Sequence, residues 1–377
     1  MTAIRFVHTA DIHLGKPFGN HAAHEALRAA RAGVIGTLIE VARKNAAPHV
    51  LIAGDLFDSA NPATKTWRHA VDEMAEASEL TWWLLPGNHD SLSARDGAAA
   101  TWEAMEALGY PNLRVLRDAQ PVEMQPGAWL LPAPLATRRP ASDPTAWMDG
   151  AETPPGAIRV GLAHGPVRDF SEAGTGLDVI APDRDRRARL DWLALGDWHG
   201  AMRLSDRVAY AGSPERTAFG EDGRGSCFLV EIAAPGAPPA VERVETGRFD
   251  WRTITLDLLP GDDAASAVID RLPDGARRDM LVRVEARGRL RLGEAAALAS
   301  LGERIGPELC HFELRDDGLG TEVEAADLDA ISTGGALREA ANALAGEAAS
   351  SAVGEAERQV AEAALRRLHG IMAEVSA

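Results

Sequence analysis

The chain has 377 residues, 46% of them hydrophobic and 25% charged. That composition fits a globular protein of two or three domains and excludes a disordered or fibrous one. The formal net charge is −17, and residues 301–377 alone carry 6 basic against 15 acidic groups, a balance that opposes a free-standing phosphate-backbone binder. No stretch is long and apolar enough to span a bilayer, and Met1 to Val7 lacks a basic-then-apolar leader. Two cysteines, Cys227 and Cys310, stand far apart in apolar company, as expected of packing thiols in a reducing cytoplasm.

Ile4 to Ala10 alternates and is rich in β-formers, which predicts a strand ending at Asp11. Residues 22–45 show helical periodicity, and Val50 to Ala53 is a buried-type strand closed by Gly54. A helix is predicted over 64–79 behind Asn61-Pro62, then a strand from Thr81 to Leu85 stopped by Pro86-Gly87. Helix and strand alternate through 98–116, and short apolar runs follow at 128–131, 158–163 and 192–195. After the Pro/Gly/Ala linker Ala233 to Ala240, a second unit reads strand (251–258), helix (263–272), strand (279–290), helix (293–305) and strand (311–315). Residues 334–375 are Ala-rich, charged and helical. Alternating helices and buried-type strands imply an α/β fold with a layered sheet core, whose chemistry gathers where strands end.

Five strand ends carry metal-ligand residue types. They are Asp11-Ile12-His13, Gly54-Asp55-Leu56-Phe57-Asp58, Gly87-Asn88-His89-Asp90, His164 between Ala163 and Gly165, and Gly196-Asp197-Trp198-His199. Read as extended chain, residues i and i+2 point to one side, so Asp11 with His13, and Asp197 with His199, are placed to share an ion. Mixed carboxylate, imidazole and amide donors suit manganese, iron or zinc. Seven such ligands fit two ions sharing one carboxylate, the arrangement that activates water for phosphoryl displacement. One such cluster is a weak signal; five in order, each after a strand, are a strong one.

The ordered set resembles the calcineurin-like metallophosphoesterases across residues 4–200. Gly-Asp-Leu-Phe-Asp-Ser-Ala-Asn-Pro (54–62) and Leu-Pro-Gly-Asn-His-Asp (85–90) are similar to the SbcD branch, the nuclease components of bacterial double-strand-break repair. Tyr210-Ala-Gly-Ser-Pro-Glu-Arg, continuing to Phe228-Leu-Val-Glu, is similar to the segment closing the nuclease domain in that branch. The resemblance implies a layered α-β-β-α sandwich over residues 1–235, a small α/β cap over 241–330 and a helical tail over 331–377 that docks on a partner. It implies one metal on Asp11, His13, Asp55 and His199, with Asp55 bridging to a second on Asn88, His164 and Asp197. It also implies His89 as the catalytic group beside the leaving oxygen. Asp58, and likewise Asp90, is expected to orient a neighbouring imidazole. The activity implied is a manganese-dependent DNA exo/endonuclease, cytoplasmic and homodimeric, working on DNA with an SbcC-like coiled-coil ATPase; a small-nucleotide phosphodiesterase is the alternative. Asp197 departs from the family pattern, Gly-His-x-His, whose first His it replaces.

Other residues are expected to be plainer. Asp183 to Arg189 reads as a solvated charged face, and Arg203, Arg207 and Arg216 as a rim, with Arg216 the candidate for phosphate contact. Trp82 and Trp83 are expected in the core; Trp198 flanks substrate or packs behind the ligands. His8, His21, His24, His49, His69, His311 and His369 are expected to be structural.

Overall fold

Strands apolar on both faces have to be covered on both faces, and here two stacked sheets with outer helices do so. The computed structural model describes every residue except 1, 2, 20, 94–96, 169–178, 221, 276 and 377. Two compact units are formed, residues 1–217 with 224–249, and residues 218–223 with 250–377.

In the first unit the chain lays down β1 (Ile4–Thr9), β2 (His49–Ile52), β3 (Thr81–Leu84) and β4 (Leu113–Val115) as parallel neighbours. It then builds a second sheet from β5 (Val122–Gln125), β6 (Ala128–Ala133), β7 (Ile158–His164), β8 (Trp192–Gly196), β9 (Met202–Arg203) and β10 (Val208–Tyr210), in the order β5-β6-β7-β8-β10-β9. The chain returns to the first sheet as β11 (Ser226–Ile232) and β12 (Ala240–Glu245), antiparallel beside β1. The strand period of two sends Phe6, Leu51 and Trp83 inward to meet Leu130, Val160 and Trp192 of the other sheet. Their neighbours Val7, Val50, Ile52 and Trp82 face outward. Both tryptophans are therefore core residues on opposite faces, Trp82 at 0% and Trp83 at 2% exposure.

Helices α1 (His24–Ala32), α2 (Val34–Lys44), α3 (Thr64–Glu76) and α4 (Ala98–Glu106) follow the first strands. Ile35 and Leu38 of α2, Trp67, Val71 and Met74 of α3, and Trp102 and Met105 of α4 cover the outer face of the first sheet. A short turn of helix at Ala146–Gly150 and the residues after α5 (Arg184–Arg187) cover the other sheet through Met148, Ala188 and Leu190. The result is the layered α-β-β-α sandwich.

The second unit has three parallel strands, β13 (Asp250–Leu258), β14 (Met280–Arg291) and β15 (His311–Glu322). Helices α6 (Ala264–Ile269), α7 (Leu292–Ala299) and α8 (Leu301–Ile305) share their apolar core. Helices α9 (Ala325–Ile331), α10 (Gly335–Ala349) and α11 (Glu355–Ser376) close a small cluster around Leu292, Ala341 and Leu365. No helix among the described residues is long and apolar enough to cross a membrane.

Several elements differ from the sequence reading. The helix expected over 22–45 is two helices, because Gly33 ends α1 and opens α2, consistent with the low helix propensity of glycine. Strand β12 follows the expected linker; as a half-exposed edge with alternating charges it carries no apolar run to read. The charged run 183–189 is not simply a solvated face. Arg184 has only 2% of its side chain exposed and is tied to Asp143 (2.7 Å), Asp149 and the Thr145 hydroxyl (2.9 Å).

A buried histidine joins the two sheets. His8 Nε2 donates to the Leu195 carbonyl at 3.1 Å, and burial lowers its pKa to about 3 despite that bond. His8 is therefore neutral in the fold but takes up a proton in the unfolded chain below about pH 6.5. Between those values the unfolded state binds more protons, so stability falls as pH falls. In urea unfolding, the stability advantage of the parent over His8→Gln is expected to shrink by about 1.4 kcal/mol per pH unit from pH 6 to 4. A constant difference would show that His8 is charged in the fold.

Candidate metal centre

The carboxyl ends of β1, β2 and β3 in one sheet and of β7 and β8 in the other meet at one rim. Backbone bonds lock the loops there: Asp11 N–H donates to Gly54 O (3.1 Å) and Gly165 N–H to Gly196 O (3.1 Å). The Asp197 N–H donates to the Asp11 carboxylate at 3.1 Å, and His164 Nδ1 donates to Ala53 O at 2.8 Å. Two glycines permit this approach. A Cβ on Gly196 would lie 2.0 Å from Ala53 O, and one on Gly87 would lie 2.3 Å from Asp55 Oδ1.

Asp11, His13, Asp55 and Asp197 adopt positive φ values of 54°, 49°, 54° and 108°. The extended geometry expected to bring Asp11 beside His13 is therefore not the one used. Each residue sits in a sparsely populated backbone region, at a cost of order 1–3 kcal/mol that the surrounding fold sustains.

These turns collect all nine candidate side chains. Asp55 is central: Oδ2 lies 3.7 Å from His13 Nε2, and Oδ1 lies 3.6 Å from His164 Nε2 while accepting the His89 N–H at 2.9 Å. Asp197 Oδ1 lies 3.7 Å from His164 Nε2 and accepts from Asn88 Nδ2 at 2.9 Å. His199 Nε2 is 3.2 Å from His13 Nε2 and 4.0 Å from Asp11 Oδ1. Donor atoms of Asp11, His13 and His199 lie within 4.8 Å of one another, as do those of Asp11, Asp55 and His164.

The carboxylates are held against their preference. Burial and the neighbouring Asp55 and Asp197 raise the Asp11 pKa, with His164 acting in the opposite direction. Burial likewise raises Asp197. Burial alone would lower His164, yet the carboxylates of Asp55, Asp11 and Asp197 outweigh it and lift it to about 9. At the other side, burial and the nearby His13 push His199 down to about 3.

The Ala53 carbonyl can only accept, so Nδ1 keeps its proton, and Nε2, facing Asp55 and Asp197, is the nitrogen that would present a lone pair once a cation displaces the proton the carboxylates favour there. That nitrogen and Asn88 Oδ1 are both buried with no hydrogen-bond partner. A concentration of buried acceptors without donors is what a divalent cation satisfies, and this carboxylate, imidazole and amide set fits one.

Asp58 lies behind the cluster. Its carboxylate is 3.4 Å from His13 Nδ1 and 3.2 Å from Lys16 Nζ, and its carbonyl accepts from His89 Nδ1 at 2.9 Å. Burial opposes the charge, but His13 and Lys16 hold the Asp58 pKa at about 2. Asp90 orients no imidazole. It accepts the N–H groups of Gly87 (2.7 Å) and Phe57 (3.0 Å), fixing two loops to each other. Arg216 is 7% exposed and its carbonyl accepts from Arg31 at 3.0 Å, a wall residue where a rim residue was expected. Trp198 packs against the apolar cluster under the second sheet.

Sequence reasoning misses Arg31, a guanidinium 1% exposed that bonds the carbonyls of Ile12, Glu215 and Arg216. Its signal is an arginine one turn after Leu27 on the buried stripe of α1. Arg138 and Arg139 are also missed; with Asn88, His164 and Asp197 they line a cavity of about 350 Å³.

The family described as calcineurin-like phosphoesterase matches residues 4–201. Among curated proteins, the SbcD component of the SbcCD nuclease of Escherichia coli K12 is 27% identical over 307 residues, covering 70% of this chain and 72% of its own length. DNA double-strand break repair protein Mre11 of Methanopyrus kandleri is 25% identical over 346 residues, covering 83% of this chain and 71% of its own. The uncharacterized metallophosphoesterase YhaO of Bacillus subtilis is 24% identical, covering 62% and 58%.

Mn²⁺ added to EDTA-treated protein is expected to raise the melting temperature, corresponding to about 2.7 kcal/mol at a hundredfold excess over Kd. Asp55→Asn removes most of that gain. A melt unmoved by Mn²⁺, Fe²⁺ or Zn²⁺ would show that the cluster holds no cation.

Proposed function

The chain belongs to the calcineurin-like phosphoesterase family, and from that premise we propose that this metal-dependent hydrolase is a DNA nuclease of the SbcD kind. The observation that carries the chemistry is the convergence of five loops on Asp55 and His164, with His89 held beside them. Asp11, His13, Asp55 and His199 are assigned to one divalent cation, and Asp55, Asn88, His164 and Asp197 to a second. Such a pair, when bound, supplies Lewis acidity and a nucleophile at neutral pH. Manganese is the expected metal, with iron or zinc as the other candidates for this donor set. The carboxylate of Asp197 makes the second position more anionic than an imidazole would.

The polypeptide's own part is positioning and proton transfer. The Asp58 carbonyl takes the Nδ1 hydrogen of His89, which leaves Nε2 as the atom that exchanges a proton with the leaving oxygen or stabilises its charge. The Asp58 carboxylate fixes the His13 ring so that Nε2 faces Asp55. Asp90 holds the His89 loop to the Asp55 loop through two backbone bonds, so the two move together.

A polynucleotide substrate is favoured over a small nucleotide because the similarity to SbcD and Mre11 runs over 70% and 83% of the chain, past the 4–201 match of the family. By the same reasoning the protein acts with an SbcC-like coiled-coil ATPase that docks on the helical tail, and as a homodimer. The ATPase would add basic surface to a chain whose net charge is −17. The proposed organisation is a catalytic domain over 1–235, a cap over 241–330 and a docking tail over 331–377.

End-labelled single-stranded and duplex oligonucleotides, incubated with Mn²⁺, Mg²⁺ or EDTA, test this. Cleavage is expected with Mn²⁺ and not with EDTA, and His89→Ala lowers its rate by about 10²–10⁴ while keeping the Mn²⁺-induced rise in melting temperature. Hydrolysis of a small chromogenic phosphodiester with no cutting of DNA, even with the ATPase present, would favour the small-nucleotide enzyme instead.

A further inference from the structure

A second concavity in the same unit lies between the loop after β1 and helices α1 and α3. It measures about 370 Å³, and its polar lining is Lys16, Arg28, Arg31, Lys65, Thr66 and His69. Helical spacing explains why these groups meet: Arg28 and Arg31 are three apart on α1, and Lys65 and His69 are four apart on α3. Among the described residues no carboxylate lines the cavity, in a chain that carries 56 acidic residues.

The cations are also poorly compensated. Among the described residues Lys16 has a carboxylate within ion-pair distance, that of Asp58 at 3.2 Å, and His69 feels that of Glu73. The Arg31 guanidinium is 1% exposed, and its terminal nitrogens are spent on the carbonyls of Ile12, Glu215 and Arg216. No carboxylate stands within ion-pair distance of it among the described residues, and its Nε is buried with no hydrogen-bond partner. Against the penalty of burial, the more distant carboxylates of Glu215, Asp58 and Asp11 favour its charge, but the buried Nε donor is left unsatisfied, and an anion in the cavity would satisfy it. Guanidinium, ammonium and hydroxyl donors around one hollow suit the oxygens of a phosphate group.

We propose that this cavity is a phosphate-binding subsite, and, resting on the reading of the protein as a DNA nuclease, that it holds a backbone phosphate of the substrate strand away from the bond being cut. Lys16 lines the cavity and contacts Asp58, whose carboxylate lies 3.4 Å from His13, so the subsite borders the metal centre. A bound strand therefore registers against the scissile position through Arg28 and Lys65, which are exposed and belong to no part of the catalytic cluster. The same chemistry also accepts a free phosphate or a mononucleotide, and the test separates the two sources.

The Arg28→Ala/Lys65→Ala double variant is compared with the parent and with Arg28→Lys/Lys65→Arg. Oligonucleotide binding is titrated against salt, hydrolysis of bis-p-nitrophenyl phosphate is followed, and inorganic phosphate is titrated into EDTA-treated protein. The alanine variant is expected to reduce the slope of log K against log salt by about 1–2, with DNA cleavage falling in parallel. It leaves hydrolysis of the small ester unchanged, and the conservative pair restores DNA binding. Unchanged DNA affinity and salt slope would overturn the backbone-phosphate assignment. If the parent fails to bind DNA even with the ATPase present, the nuclease reading fails and the cavity is judged on inorganic phosphate alone. Phosphate binding lost in the alanine variant would then identify a free-phosphate subsite, and no phosphate binding by the parent would remove the subsite altogether.

Discussion

Three carboxylates, Asp11, Asp55 and Asp197, face one buried imidazole, His164, at the seam between two sheets. Burial penalises the charge of Asp11 and Asp197 there, and much of the first unit holds the cluster together. The positive-φ backbone at four of its residues, the two glycines that let loops touch, and the Asp90 staple all serve the same end. A fold that keeps acceptors this close must place its rigidity at the rim, where strands have just ended.

Most of this architecture was legible in the order of residues. Short apolar runs, ended by glycine at β2, β3, β7 and β8 and by Asp11 at β1, marked those strands, and each was followed by the side chains that converge. The route of convergence was not legible. Alternation in a strand implied extended geometry at Asp11-Ile12-His13, whereas Asp11 and His13 are both left-handed; the 54–58 loop after β2, in the same sheet, donates and accepts the backbone bonds that hold that conformation. Edge strands, with one side in water and charges along their length, lacked the apolar signature altogether. Buried arginines were the other omission. A charged residue within a helical or polar run reads as surface, and only tertiary carbonyls or carboxylates, as around Arg31 and Arg184, make its burial tolerable.

The awkward acidity has a similarly local resolution. Net charge averages over the chain, while a ligand meets local charge. The acidic excess is concentrated in the last 77 residues and in the cluster that gathers cations, whereas the hollow between α1 and α3 is cationic. A protein can thus be strongly acidic and still present a short basic path beside its reactive centre.

The contacts that complete the centre join parts of the chain far apart in sequence: His164 reaches Ala53 across 111 residues and Asp197 reaches Asp11 across 186. Closing such loops is entropically expensive and comes late in folding. A nascent chain therefore has no pre-formed chelate to load, and cation capture follows docking of the two sheets instead of guiding it. The residues that would hold a cation come from both sheets, which have to separate before the sandwich can open. The influence of a bound cation then falls on the rate of unfolding more than on the rate of folding, so the loaded protein is protected kinetically, by the persistence of its native state.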